Sequence, residues 1–414
     1  MRCLDVAIIG AGPYGLSLAA HLRSRDVEFR IFGTPMGAWK DNMPAGMLLK
    51  SYPWATNLAV PNSDFTLKKF CVENAILYND SITPLSIETF ISYGEVFQKR
   101  FVPFVERKAL AALEPNASGL SLRFDDGEIV HARRVVLAVG MSPFKYLPPD
   151  AAQLPAEMVS HAGDYGAFDA LDGKEVVIVG SGSSATDLSA LLHESGISVS
   201  ILARADNLTF ASPPRPRGLA QRIIGPTSGI GNGWTMEVCA DAPWLVRFLP
   251  KDLRVRLANA RALGPLGGAF MRDRVVGKFP IRLGRTIAEM AARYGRAHLR
   301  TTTADGREET LRADHVIFAT GYRTDLDRLP FLAPEVAARM RRTGAAPALS
   351  GHYESSVPGL HFIGPSSANS FGPVCRFVYG TGHPAQHLAR YLPAVLGGEE
   401  VPIVTGQTDT AVLQ

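Results

Sequence analysis

The chain has 414 residues, 46% of them hydrophobic and 20% charged, enough to build substantial cores in two or three domains and unlike a disordered protein. Its net charge of +4 includes no Lys/Arg run of the kind nucleic acid requires, and no apolar stretch approaches the roughly 20 residues of a membrane span. Four cysteines, Cys3, Cys71, Cys239 and Cys375, stand far apart with no C-x-x-C, so no redox dithiol and no metal site is written, and they read as reduced thiols of a cytoplasmic protein.

Asp5 to Ile9 is a short apolar run leading into Gly10-Ala11-Gly12-Pro13-Tyr14-Gly15. Leu16, Leu18, Ala19 and Leu22 continue at helical spacing, and Val27 to Phe32 is a second apolar run. Strand, glycine turn, helix and strand make a βαβ opening. Further on, Asp125-Asp126-Gly127 precedes an apolar strand from Ala132 that ends in Ala138-Val139-Gly140.

The same grammar then returns. Glu175 to Val179 leads into Gly180-Ser181-Gly182-Ser183-Ser184-Ala185, a helical stretch Thr186 to His193 and a strand Val199 to Leu202. Asp305-Gly306 precedes Ala313 to Phe318, which ends in Ala319-Thr320-Gly321. Two glycine motifs, each with its own downstream strand, predict an α/β fold with two Rossmann-like dinucleotide-binding domains. Between Asn207 and Pro280 the pattern breaks. Ser212-Pro213-Pro214-Arg215-Pro216 and Gly229 to Trp234 are loop-like, and Trp244 to Arg261 reads as a helical, basic segment. This block exceeds a normal β–α connection and is expected to be an insertion that shapes the active site. The tail from Glu399 is polar.

In the first motif Gly10 suits the tight turn, Gly12 the approach of backbone to a pyrophosphate, and Gly15 close helix–strand packing, with Pro13 opening the helix. The helix N-terminus adds N–H groups and a positive dipole end. An acid is expected after the second strand to hold the adenosine ribose, but Gly33 stands there. The second cradle comprises Gly180, Gly182, Ser183 and Ser184, with Ala185 in the third glycine position. Arg204, after the next strand, suits a 2′-phosphate and so NADPH rather than NADH, although an exposed Arg there is also ordinary surface chemistry.

The order of Gly10-x-Gly12-x-x-Gly15, Gly37-Ala38-Trp39, Gly180-x-Gly182-x-x-Ala185 and Ala319-Thr320-Gly321-Tyr322 resembles the single-component FAD/NADPH-dependent monooxygenases: flavin-containing monooxygenases, Baeyer–Villiger enzymes and amine N-hydroxylases. The resemblance implies that Gly37 and Trp39 lie along FAD and that Thr320, Gly321 and Tyr322 mark the crossing between domains. It also implies that Gly364 approaches the flavin ahead of a last helix near Tyr379 to Tyr391. Tyr52-Pro53-Trp54-Ala55-Thr56-Asn57 is similar to the stretch that places an asparagine beside the flavin, which makes Asn57 the candidate catalytic residue; a loop asparagine holding its own turn is the equal alternative. The Baeyer–Villiger signature would fall on Pro155, Glu157 and His161, where only the histidine survives, so ketone oxidation is disfavoured.

The implied organisation is an NADPH domain inserted into an FAD domain. Its parts are residues 1–148, 149–325 with the insertion at about 207–280, and 326–414. The implied activity is oxygenation of a small-molecule nucleophile, an amine nitrogen or sulfur, by a C4a-(hydro)peroxyflavin formed from O2 after reduction by NADPH. An NADPH-dependent flavin reductase or oxidase, or a flavin-binding module without turnover, would carry the same motifs. A monomer or homodimer is expected.

Overall fold

The computed structural model describes residues 3–80, 84–211, 225–260 and 267–398; the Ser212–Pro216 run, Arg261 and the tail from Glu399 lie outside them. In the first half, β1 (Cys3–Ile9) runs into α1 (Pro13–Leu22) and β2 (Phe29–Phe32), followed by the helices α2 (Gly37–Asp41), α3 (Leu67–Glu73) and α4 (Ile87–Phe101). A meander of β3 (Leu110–Asn116), β4 (Gly119–Phe124) and β5 (Ile129–Leu137) follows. These strands form a sheet in the order β2-β1-β5-β4-β3, with β1 parallel to β2 and β5 and the meander antiparallel.

The chain then builds a second sheet. Its strands are β6 (Val159–His161), β7 (Glu175–Val179), β8 (Ser198–Leu202) after helix α5 (Ser183–Glu194), β9 (Ile281–Arg282) and, further along, β13 (His315–Phe318). The order is β9-β8-β7-β13-β6, and every pair is parallel. Alternation along these strands sorts the two faces. Val176, Ile178, Val199 and Ile317 pack with Leu188 and Leu192 of α5. Val177, Leu202, Val316 and Phe318 pack with Met290, Leu299 and Leu311 of a second meander, β10 (Arg285–Arg293), β11 (Arg296–Thr303) and β12 (Glu308–Ala313). The two meanders turn at equivalent glycines, Gly127 at φ +86° and Gly306 at φ +81°, so the sequence echo is a structural repeat.

After β13 the chain returns to the first sheet: β14 (Leu360–Phe362) pairs parallel with Val135–Leu137 of β5. The last helix, α9, runs Gly382–Leu396 and packs on α1. Among the described residues, the Asn207–Pro280 block includes the short helices α6 (Trp234–Asp241), α7 (Pro243–Val246) and α8 (Lys251–Asn259) and a further turn of helix at Arg272–Val275. The expected single helix from Trp244 is two, because Pro250 cannot continue α7 and instead opens α8 as its N-cap.

One face of α9 carries His383, His387 and Tyr391 at four-residue spacing, their rings near parallel. His352 stacks on Tyr391 at 4.0 Å and shares a 2.9 Å hydrogen bond between its Nδ1 and His387 Nε2, while Tyr353 Oη and His383 Nδ1 meet at 2.7 Å. Among the described residues no three His, Cys, Asp or Glu side chains form a metal site, and no helix is long and apolar enough to cross a membrane. Burial pulls His383 and His387 down to about 4. Below the ordinary histidine value of about 6.5 the unfolded chain therefore takes up protons that the native chain refuses, and stability falls as pH drops toward 4. We expect urea denaturation to show a loss of roughly 2 kcal/mol between pH 6.5 and 4.5, short of the linkage limit because solvent reaches part of the cluster. The double substitution His383→Asn/His387→Asn should flatten that slope; an unchanged slope would refute the assignment.

Candidate functional site

The two glycine turns have one geometry, set by backbone packing. Gly10 N–H donates to Phe32 O at 2.8 Å and Gly180 N–H to Leu202 O at 2.9 Å; Ala138 N–H donates to Ile9 O and Ala319 N–H to Val179 O. Gly10 (φ +112°) and Gly180 (φ +152°) lie where a Cβ would stand 2.2 Å from Ala138 O and 2.5 Å from Ala319 O. Gly12 and Gly182 are the N-caps of α1 and α5 with nearly identical dihedrals, and a Cβ on either would meet nothing within 4 Å. Each cradle thus has open space in front of a helix start whose first N–H groups lack helical partners, a fit for a dinucleotide pyrophosphate. Pro13 at the first helical position of α1 forfeits no needed donor. Gly15 is tighter than its counterpart: a Cβ there would stand 1.8 Å from Gly10 O, whereas Ala185 is accommodated, fully buried, in α5.

Gly33 has a physical reason to replace an acid. Its φ is +131°, a Cβ would approach Ala11 N to 3.1 Å, and its N–H is taken by Glu106 O at 2.8 Å. Gly37 begins α2, which is tied to the first cradle because Met36 N–H donates to Ala11 O at 3.0 Å. Trp39 packs edge-on against Phe90, its ring 4.7 Å away. Gly364 (φ +76°) lies against the Tyr14 ring, 3.3 Å from where its Cβ would be. Tyr14 Oη donates to Phe377 O at 2.9 Å, so the C-terminal segment is fastened to the first glycine motif. In the second cradle Ser183 Oγ is 3.5 Å from Asp187 Oδ2, and Ser184 lies in the same first turn of α5. Arg204 is exposed just beyond β8, on a loop stapled by Ala203 N–H to Arg282 O and Gly284 N–H to Ala205 O.

The segment 144–146 runs against 320–323 as the chain passes between the two sheets. Tyr146 N–H donates to Gly321 O, Arg323 N–H donates to Phe144 O, and Thr320 Oγ1 donates to Tyr146 O. Lys145 and Tyr322 form a β-bridge, and the Arg323 guanidinium covers the Tyr146 ring. His161 belongs here: its Nε2 donates to Gly321 O at 2.9 Å, its Nδ1 accepts from Gly163 N–H at 3.0 Å, and burial depresses its pKa. It is a neutral structural histidine, apart from any pair of reacting groups.

The Lys50–Asn57 loop lies between the cradles. Lys50 is ion-paired with Asp187 of α5, a contact the sequence did not signal because an isolated lysine in an apolar run looks like surface. Burial pulls Lys50 down to about 7, and the Arg274 charge lowers it further. Asp187 Oδ1 is enclosed without a partner. Asn57 uses its amide locally: Nδ2 donates to Trp54 O at 2.7 Å and Oδ1 accepts from Leu67 N–H at 2.8 Å, the start of α3. Trp54 meets Tyr379 edge-on at 6.0 Å, and Tyr379 Oη donates to Asp241 at 2.6 Å, bringing α6 of the insertion to this loop.

Two sheet units, each presenting a helix N-terminus through a glycine turn between parallel strands and joined at a double crossing, define an oxidoreductase of the two-dinucleotide class. Residues 4–224 match the pyridine nucleotide-disulphide oxidoreductase family, and the chain belongs to it. It is 26% identical over 346 residues to the indole-3-pyruvate monooxygenase YUCCA1 of Oryza sativa subsp. japonica, covering 77% of each. Its fold is that of the ornithine hydroxylase PvdA of Pseudomonas aeruginosa, with a TM-score of 0.76, 18% identity and coverage of 95% of this chain and 100% of that one. The ornithine N-hydroxylase KtzI of Kutzneria sp. 744, solved with reduced FAD, NADP+ and L-ornithine, aligns at a TM-score of 0.74 with 15% identity, again over 95% and 100%.

The glycine geometry separates folding from binding. Gly10→Ala should impair folding, because backbone occupies the Cβ position. Gly12→Ala should melt with the parent apoprotein, within about 0.5 kcal/mol, yet fail to retain its dinucleotide on gel filtration. Retention of cofactor by Gly12→Ala would argue against the cradle.

Proposed function

We propose that the chain is an FAD-dependent monooxygenase reduced by NADPH, acting with O2 on a small-molecule nucleophile, an amine nitrogen or a sulfur. FAD would be held by Gly10, Gly12, Pro13 and Gly15, with Gly37, Trp39 and Gly364 along it. NADPH would be held by Gly180, Gly182, Ser183 and Ser184, with Arg204 on the 2′-phosphate and Thr320, Gly321 and Tyr322 at the crossing. Bound flavin supplies hydride acceptance and electron delivery to O2.

The observation that carries this reading within the family is the state of the thiols. All four cysteines are free, burial raises Cys71 and Cys239, and Cys375 is pushed up to about 12. No two of these thiols are paired, so electrons leaving the flavin have no disulfide to enter, which favours O2 as their acceptor. The likeness to an indole-3-pyruvate monooxygenase along most of the chain supports the same outcome.

The chain's own contribution is positioning. The Lys50–Asp187 pair ties the Tyr52–Asn57 loop to the second cradle. Asn57, with two amide contacts taken, keeps one N–H to offer the flavin or the nicotinamide. Trp54 packs edge-on against Tyr379, which Asp241 of α6 holds in place, so this loop is fixed from the side of the insertion.

Anaerobic mixing of the FAD-loaded protein with NADPH should bleach the flavin faster than NADH does. Admitting labelled oxygen with an amine or sulfide should place one atom in the product. Stoichiometric H2O2 with no labelled product would replace this reading by a reductase or oxidase, and a flavin that NADPH cannot bleach would leave a binding module. Asn57→Asp should slow oxygenation at least about tenfold, a barrier of about 1.4 kcal/mol, with flavin reduction within about twofold of the parent. Equal loss of both rates would reduce Asn57 to a loop-shaping residue.

A further inference from the structure

One buried carboxylate behind the second cradle takes its counter-charge from the other half of the molecule. Asp187 stands on α5 one turn after Ser183, the residue that opens the helix, and Ser183 Oγ is 3.5 Å from Asp187 Oδ2. The Asp187 side chain is 6% exposed; its Oδ1 is enclosed without a partner and its Oδ2 is paired with Lys50. Among the described residues no other cation pairs with Asp187. Arg274, close enough to Lys50 to repel it, is committed to Glu194 through two hydrogen bonds of 2.7 and 2.6 Å.

The backbone around Lys50 is fixed on both sides. Leu49 N–H donates to Leu85 O at 2.8 Å, and Gly46 lies so near α5 that a Cβ there would stand 3.4 Å from Leu191 Cδ2. The lysine is thus delivered to the helix by its loop. Charge decides what this arrangement does. The start of α5, left bare by Gly182, favours an anion. A lone carboxylate one turn inside would oppose a diphosphate at that start, because buried charges are poorly screened. The Lys50 ammonium cancels that opposition.

We propose that Lys50 is a positioning residue for the nicotinamide nucleotide, acting through Asp187 so that a diphosphate can settle on the start of α5. This role rests on the reading that NADPH occupies the second cradle. The charged groups facing the ammonium are Asp187 of α5 and Arg274 of the helical turn Arg272–Val275, the latter paired with Glu194. Burial and Arg274 hold Lys50 at about 7, so its charge is present below that pH and lost above it. A bound diphosphate stabilises the ammonium, and nucleotide affinity therefore falls as pH rises through this value.

Calorimetric titration of the FAD-loaded protein with NADP+, at constant ionic strength from about pH 6.5 to about pH 9, tests this without turnover. Parent affinity should fall at least about tenfold across that range. Lys50→Met should bind at least about tenfold more weakly than the parent at the acid end and show no such fall. Lys50→Arg, whose charge does not titrate, should match the parent at the acid end and stay flat. Parent affinity independent of pH, Lys50→Met binding as tightly as the parent, or Lys50→Arg falling as the parent does would overturn the role of Lys50 while leaving NADPH in its cradle. Should Lys50→Met misfold, the parent profile set against that of Lys50→Arg decides alone. A parent protein that binds no NADP+ at any pH removes the cofactor reading itself, and this role with it.

Discussion

Everything in this molecule is arranged around a backbone carbonyl resting where a side chain would otherwise begin. At Gly10 and again at Gly180, the oxygen of an alanine closing the neighbouring strand occupies the Cβ position. That contact lets β1 and β7 stop abruptly and turn, so that the next helix starts directly above the sheet edge. The helix start is then bare of side chain, and its N–H groups point into open space. At both turns the abrupt passage from strand to helix depends on one missing methyl group. The third position of the motif is more permissive: α1 packs so closely that Gly15 is required, and α5 rides far enough out to carry Ala185.

Much of this was legible from spacing alone. Strand, glycine turn, helix and strand have distinct periodicities, and the paired Asp-Gly turns before apolar strands exposed the repeat. Both hairpin turns with their closing strands, and both glycine turns with the helices they open, sit where those patterns put them, because each is decided by local rules. The strand Leu360–Phe362 went unmarked, because three residues are too few to show a period and its partner β5 is distant in sequence.

What spacing did not reveal is what distant segments do to one another. Nothing around Lys50 signals a buried ion pair, because Asp187 is supplied by a helix of the other sheet. Asn57 was readable as a candidate, but only the fold showed its amide engaged with Trp54 and Leu67. The absent acid at Gly33 was noticed as a gap, while its cause, the strand-like run of backbone through Glu106, is a tertiary fact. The insertion resisted for a related reason: its helices are short, broken by Pro250, and amphipathic against surfaces contributed by residues beyond 350.

The double crossing at 144–146 and 320–323 has an evolutionary consequence. The chain leaves the first sheet and re-enters it at the same place, so β14 falls into register on β5 as though nothing intervened. A unit with adjacent ends can be gained, exchanged or lost without disturbing its host. The two halves share one βαβ-and-meander plan and meet at a seam only a few residues wide.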